Sequence, residues 1–271
     1  MNKIPFNEIA PFIKIYHSLD SEGNFVSPRG LLIKEIENAN YVLPPYIRFT
    51  NFKARKLNLT YIKREFLWYL KGDKYDTSIT EHAALWKGLI NKDGSINSNY
   101  GQYINKQFDH VISLLISDKD SRRASIMILT AEHLLSETFD LPCTYALNFR
   151  IRNNKLNMTV HMRSQDAIFG MGNDVPTFSF IQEMIYVTLR DTYPDLVMGN
   201  YYHFVDSLHV YEKHFQMIKE ILQNPTEFES IICPKISSSA EVQYLFQTDL
   251  RHIDKISIPE HYLFTHWLLS E

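Results

Sequence analysis

Cys143 is one of only two cysteines in the chain, and the segment it opens goes on to bring Arg163, Ser164, Asp166, Asn173 and Asp174 within about thirty residues. A thiolate is a strong nucleophile, and nearby cations favour it over the thiol. Three stretches could supply them: Arg29 in SPRGLL, the pair Arg122–Arg123 in DSRRAS, and Arg163 itself. The planar guanidinium fork matches phosphate oxygens, and a small anion needs only a few such forks. Glu65, inside YIKREFLWYL, is a carboxyl among apolar neighbours, where burial lifts a pKa towards the range useful for proton transfer. Each signal also has a plainer reading. A cysteine leading into a strand is a small core residue, paired arginines form a solvated salt-bridged surface, and an Asx-rich turn needs no function.

The elements that must position these groups show in the pattern. YIKREFLWYLKGD (61–73) puts apolar residues on one helical face and ends at Gly72, a C-cap, so Glu65 lies in a mostly buried helix. INKDGSINSNYGQY (90–103) reads as a loop presenting Tyr100, after which helical periodicity resumes. RASIMILT has strand character just after Arg122 and Arg123. YALNFRIR and LNMTVHMR alternate around NNK and predict a hairpin. Gly170 and Gly172 permit a tight turn that would bring Asp166 and Asp174 together, with a helix following from Pro176. Long helices mixed with hairpin-linked strands predict an α+β fold with a large mixed or antiparallel sheet.

Composition narrows the field. At 271 residues and 45% hydrophobic, with no linker or repeat, the chain is expected to form a single domain over 1–271. A net charge of -3 argues against a general nucleic-acid surface. Two distant cysteines suggest neither a disulfide framework nor a metal site. No leader or membrane-length apolar run is evident, so a cytoplasmic location is expected.

Taken in order, REFLWYLKGD, the tryptophan of LWKG, INSNYG, DSRR, LPC, RSQD…G…ND and DSLHVYEKHF resemble the thymidylate synthase superfamily from Arg29 to about Phe215. Residues 216–271 match it poorly. Two departures, Thr144 after the cysteine and Asp174 where the family usually has Asn, look like the bacteriophage branch that hydroxymethylates deoxycytidylate (dCMP).

That resemblance implies a thymidylate synthase-like fold and a mechanism. Cys143 would add to carbon 6 of the pyrimidine, making carbon 5 nucleophilic towards the one-carbon unit of 5,10-methylenetetrahydrofolate, the cosubstrate. Water would then add to the exocyclic methylene. Arg29, Arg163 and Ser164 from one subunit, with Arg122 and Arg123 from its partner, would hold the 5'-phosphate, so a homodimer is implied, and these cations would lower the thiol pKa. Glu65 would manage water and proton transfer near carbon 5, and Asp174 would face the N3/N4 edge. His209 and Tyr211 would reach the sugar, while Tyr100, Asp166 and Trp86 would line the base or folate pocket. The alternatives implied are a thymidylate synthase acting on dUMP, a CMP hydroxymethylase, and a non-catalytic nucleotide-binding regulator.

Overall fold

The computed structural model describes residues 6–248, 250 and 258–270. Helices α1 (Phe6–Glu22), α2 (Leu59–Lys71), α3 (Gly101–Ser117), α4 (Ala131–Leu135) and α5 (Phe169–Leu189) are interleaved with β1 (Asn24–Val26), β2 (Ile33–Leu43), β3 (Ser125–Met127), β4 (Thr144–Arg152), β5 (Lys155–Met162) and β6 (Gln165–Asp166). Strand β7 (Val197–Tyr211) follows, then α6 (Phe215–Gln223), α7 (Ser239–Gln247) and α8 (Leu263–Leu269).

The strands form one mixed sheet ordered β1-β2-β7-β5-β4-β3, with β6 also paired to β7. Among the described residues only β5 and β6 run parallel to β7, and the remaining pairings are antiparallel. This is the expected α+β class. The β4–β5 hairpin turns at Asn153 and Asn154, both at positive φ (50° and 57°), the geometry that suits a tight two-residue turn and that Asn tolerates.

One face of the sheet is covered by helices: α1 packs on β2, and α5 on β5 and β7. Its core is aromatic, with Phe66, Phe180 and Phe264 edge to face. The opposite face presents Val42, Phe204 and Tyr145, 43%, 45% and 37% exposed. There Phe204 stacks on His161 and the Tyr145 hydroxyl donates to Asp206 at 3.0 Å.

Helix α5 differs from the sequence expectation. It begins at Phe169, seven residues before Pro176, so Gly170, Gly172 and Asp174 are helical rather than in a turn. Gly172 has a different purpose: a Cβ there would sit 2.2 Å from Nη2 of the buried Arg55. Apolar packing along the rest of α5 overrides the local breaker signal of two glycines and a proline.

Candidate active site

Helix α2 is started by the Asn58 side chain, which accepts from the Tyr61 amide, and ended by Gly72 in the left-handed conformation. Between the caps, Tyr61 and Glu65 stand one turn apart on the same face. The Trp86 indole N–H donates to the Tyr61 hydroxyl at 2.8 Å, and that hydroxyl donates to Glu65 Oε1 at 2.9 Å. Glu65 Oε2 is buried without a partner among the described residues. Burial first, then the neighbouring charge of Asp174, raise its pKa to about 8. At neutral pH the carboxyl is therefore mostly protonated, and because Oε1 is occupied by a donor the proton belongs on Oε2. Gly101 lets α3 come close, since a Cβ there would be 1.8 Å from the Tyr69 carbonyl oxygen. That approach sets the Tyr100 ring, at the head of α3, against Tyr69 on α2, centroids 5.5 Å apart and tilted by 30°.

Cys143 immediately precedes β4 and is half-buried. Its backbone N–H donates to the Tyr100 hydroxyl at 3.2 Å, and Arg163 Nη2 lies 3.4 Å from Sγ. The same guanidinium donates to the Leu141 and Pro142 carbonyls, so Arg163 fixes the loop that carries the thiol. Arg163 and Arg29 favour the thiolate, as anticipated. Burial outweighs them, however, and with the negative charges of Asp174 and Asp140 it holds the thiol pKa above its ordinary value. Within one chain the arginines only partly offset that burial.

Asp174 lies one helical turn past Gly170 on α5, whose missing Cβ would otherwise stand 3.6 Å from Oδ2. Gln165 Nε2 donates to Oδ2 at 3.2 Å, and Oδ1 has no partner among the described residues. Burial raises its pKa to about 7 against the lowering effect of Gln165.

Around this centre the other expected residues fall at different distances. Asp166 pairs with His209 across β6 and β7, and its two carboxylate oxygens accept from the Ile168 and Phe169 amides, closing an Asx turn that leads into α5. His209 and Tyr211 share one face of β7, rings edge to face at 5.1 Å. Ser164 is half-buried, with its hydroxyl unpartnered among the described residues. Trp86 is buried, and its indole N–H is committed to Tyr61. Arg29 is exposed, held at φ 52° in a short turn, a conformation that only a few per cent of non-glycine residues adopt. Arg122 and Arg123 are exposed before edge strand β3, have no carboxylate partner among the described residues, and do not touch this centre. Sequence reading missed Arg55, whose Nε and Nη2 donate to the Ile168 carbonyl and anchor the start of α5. It also missed Gln165, Tyr61 and the exposed Phe169, flanked by Arg55 and Lys213. No local pattern marks any of them except the spacing of Tyr61 four residues before Glu65.

Among the described residues no group of three or more His, Cys, Asp or Glu side chains could hold a metal ion, and no helix is long and apolar enough to cross a membrane. Residues 46–259 match the family model described as thymidylate synthase, and the chain belongs to that family. It is 32% identical over 207 residues to the deoxycytidylate 5-hydroxymethyltransferase of Enterobacteria phage T4, covering 71% of this chain and 81% of that protein. It is 30% identical over 220 residues to the deoxyuridylate hydroxymethyltransferase of Bacillus phage SP01, covering 74% of this chain and 56% of that protein. The thymidylate synthase of Buchnera aphidicola subsp. Acyrthosiphon pisum is 25% identical over 210 residues, covering 73% and 76%. The family's chemistry is transfer of a one-carbon unit from methylenetetrahydrofolate to a pyrimidine nucleotide.

Proposed function

We propose that the chain, acting as one catalytic domain, is a deoxycytidylate 5-hydroxymethyltransferase. Asp174 carries this reading: it is a carboxyl beside the Cys143 thiol with one oxygen held by Gln165 and the other open. A carboxylate accepts from the cytosine amino group and from a protonated N3, whereas beside uracil it opposes the O4 acceptor. Protonating N3 also draws electron density from carbon 6 and assists thiolate addition.

Cys143 adds to carbon 6, breaking ring aromaticity and placing electron density on carbon 5. Methylenetetrahydrofolate supplies the one-carbon electrophile when bound. Glu65, with its proton on the unpartnered Oε2, is suited to hold the water that hydrates the exocyclic methylene and to move protons there. That orphaned polar atom in an aromatic surround fits the edge of a bound pterin. The exposed Phe169 ring beside Asp166 offers an apolar wall. With Asp166 occupied in the turn before α5 and Trp86 turned to Tyr61, their part in holding folate is indirect, through shaping the pocket. Arg163, Ser164 and Arg29 bind the phosphate, and His209 and Tyr211 the sugar.

A second copy completes the site. The uncovered sheet face, with Val42, Phe204 and Tyr145, is the surface it would cover, and Arg122 and Arg123 stand free to reach the partner's phosphate. Inactive Arg123→Ala mixed with inactive Cys143→Ala should then recover activity. No recovery after verified subunit exchange would remove the arginines from the shared site.

Mass spectrometry of products from dCMP, CMP and dUMP incubated with methylenetetrahydrofolate tests the reaction itself. The expected product is 5-hydroxymethyl-dCMP without the absorbance rise of dihydrofolate. Methylated dUMP accompanied by that rise would overturn the assignment.

A further inference from the structure

Asp174 poses a problem that its own chemistry does not solve. A carboxyl that carries a proton near neutral pH has one O–H donor and one acceptor oxygen, the same pattern that an asparagine amide offers. In that form it could donate to O4 and accept from N3–H of uracil, and the preference for cytosine would be lost.

The structure holds a device against this. Tyr41 on β2 stacks on His203 of β7, ring centroids 4.6 Å apart and planes within 4°, and its hydroxyl donates to Gln165 Oε1 at 2.8 Å. With Oε1 so engaged, the Gln165 amide presents Nε2 to Asp174 Oδ2. Tyr41 is 8% and Gln165 2% exposed, so neither has water as an alternative partner. The donor at Asp174 is therefore fixed by a second donor behind it. An N–H aimed at a carboxyl oxygen favours the ionised form and opposes a proton on that oxygen.

We propose that Gln165, oriented by Tyr41, is a specificity-determining positioning residue that favours the acceptor-only carboxylate form of Asp174 towards the base and thereby biases the site against uracil. This rests on the assignment of Asp174 as the base-reading residue. The other titratable groups facing Asp174 are Glu65, Tyr61 and Tyr69 on α2, Tyr100 on α3, Cys143 before β4, Tyr41, Tyr201 on β7 and Asp166. Burial keeps the five tyrosines protonated throughout the range tested, and the carboxyls Glu65 and Asp166 can only oppose ionisation of Asp174. Within this set, the Gln165 amide is the group that favours the carboxylate.

The experiment is competition between dCMP and dUMP with methylenetetrahydrofolate, products counted by mass spectrometry at pH 6 and pH 8. The enzymes compared are wild type, Gln165→Leu, Tyr41→Phe and Asp174→Asn. Gln165→Leu should lower the dCMP:dUMP product ratio at least tenfold at pH 6, about 1.4 kcal/mol, and less at pH 8, where a larger share of Asp174 is ionised in either enzyme. Tyr41→Phe keeps the stacked ring, frees the amide to turn, and should shift the ratio in the same direction by a smaller factor. A wild-type ratio at pH 6 in both variants, or an equal fall at both pH values, overturns the proposal. If Asp174→Asn shifts the ratio while Gln165→Leu does not, the role of Gln165 alone is lost; if Asp174→Asn leaves it unchanged, the base-reading assignment falls as well.

Discussion

Glu183 on α5 and Glu65 on α2 are both buried glutamates, yet their oxygens meet opposite surroundings. Glu183 Oε2 accepts from Arg48 Nη2 at 2.8 Å and Oε1 from the Ile236 amide at 3.1 Å. Glu241 on α7 is treated similarly, taking the amides and hydroxyls of Ser237 and Thr265. Among the described residues Glu65 receives a single phenol and is paired with no cation. Buried carboxylates that only hold structure are saturated with donors, because an unpaired charge in low dielectric is costly. A carboxyl left half-satisfied stays protonated instead, and keeps an atom available for a ligand.

The contrast should divide activity from stability. Glu65→Gln keeps the shape and removes the titratable proton, so turnover should fall by about 10²–10⁴-fold, the usual worth of general acid–base catalysis, while the melting temperature holds or rises. An unfolded variant would place Glu65 with the structural group. Arg48→Met should do the reverse and cost roughly 3–5 kcal/mol of stability by stranding Glu183 in the core, read as a drop in the denaturant midpoint.

The pH dependence sharpens the same division. The unfolded chain ionises Glu65 near 4.5, whereas the folded chain keeps that proton until about 8. Across that window the folded state binds the extra proton, so stability falls as pH rises and levels off above it, by up to about a few kcal/mol from this group. Asp174 adds a decline between 3.8 and about 7. Glu65→Gln should flatten the loss measured between pH 5 and pH 8, and an unchanged slope would mean that Glu65 is ionised in the folded protein. The smallest effect concerns base choice: Asp174→Asn should shift the dCMP:dUMP ratio towards dUMP at least tenfold, if the edge contacts are worth roughly 1–3 kcal/mol.

The sequence by itself determined the helix around Glu65, the β4–β5 hairpin and the family, because caps, strand alternation and an Asn-Asn turn act over a few residues. It misplaced the start of α5, where long-range packing outweighs the glycines, and it credited the arginines with a thiol activation that burial opposes. Only the tertiary structure decided which atom of each carboxyl is free. Tyr41 and Gln165 are 124 residues apart, and Trp86 reaches Tyr61 across a loop. The raised pKa values of Glu65 and Asp174 follow from burial, which outweighs the donors Tyr61 and Gln165 that favour ionisation, and burial is not a property of neighbouring residues in the chain.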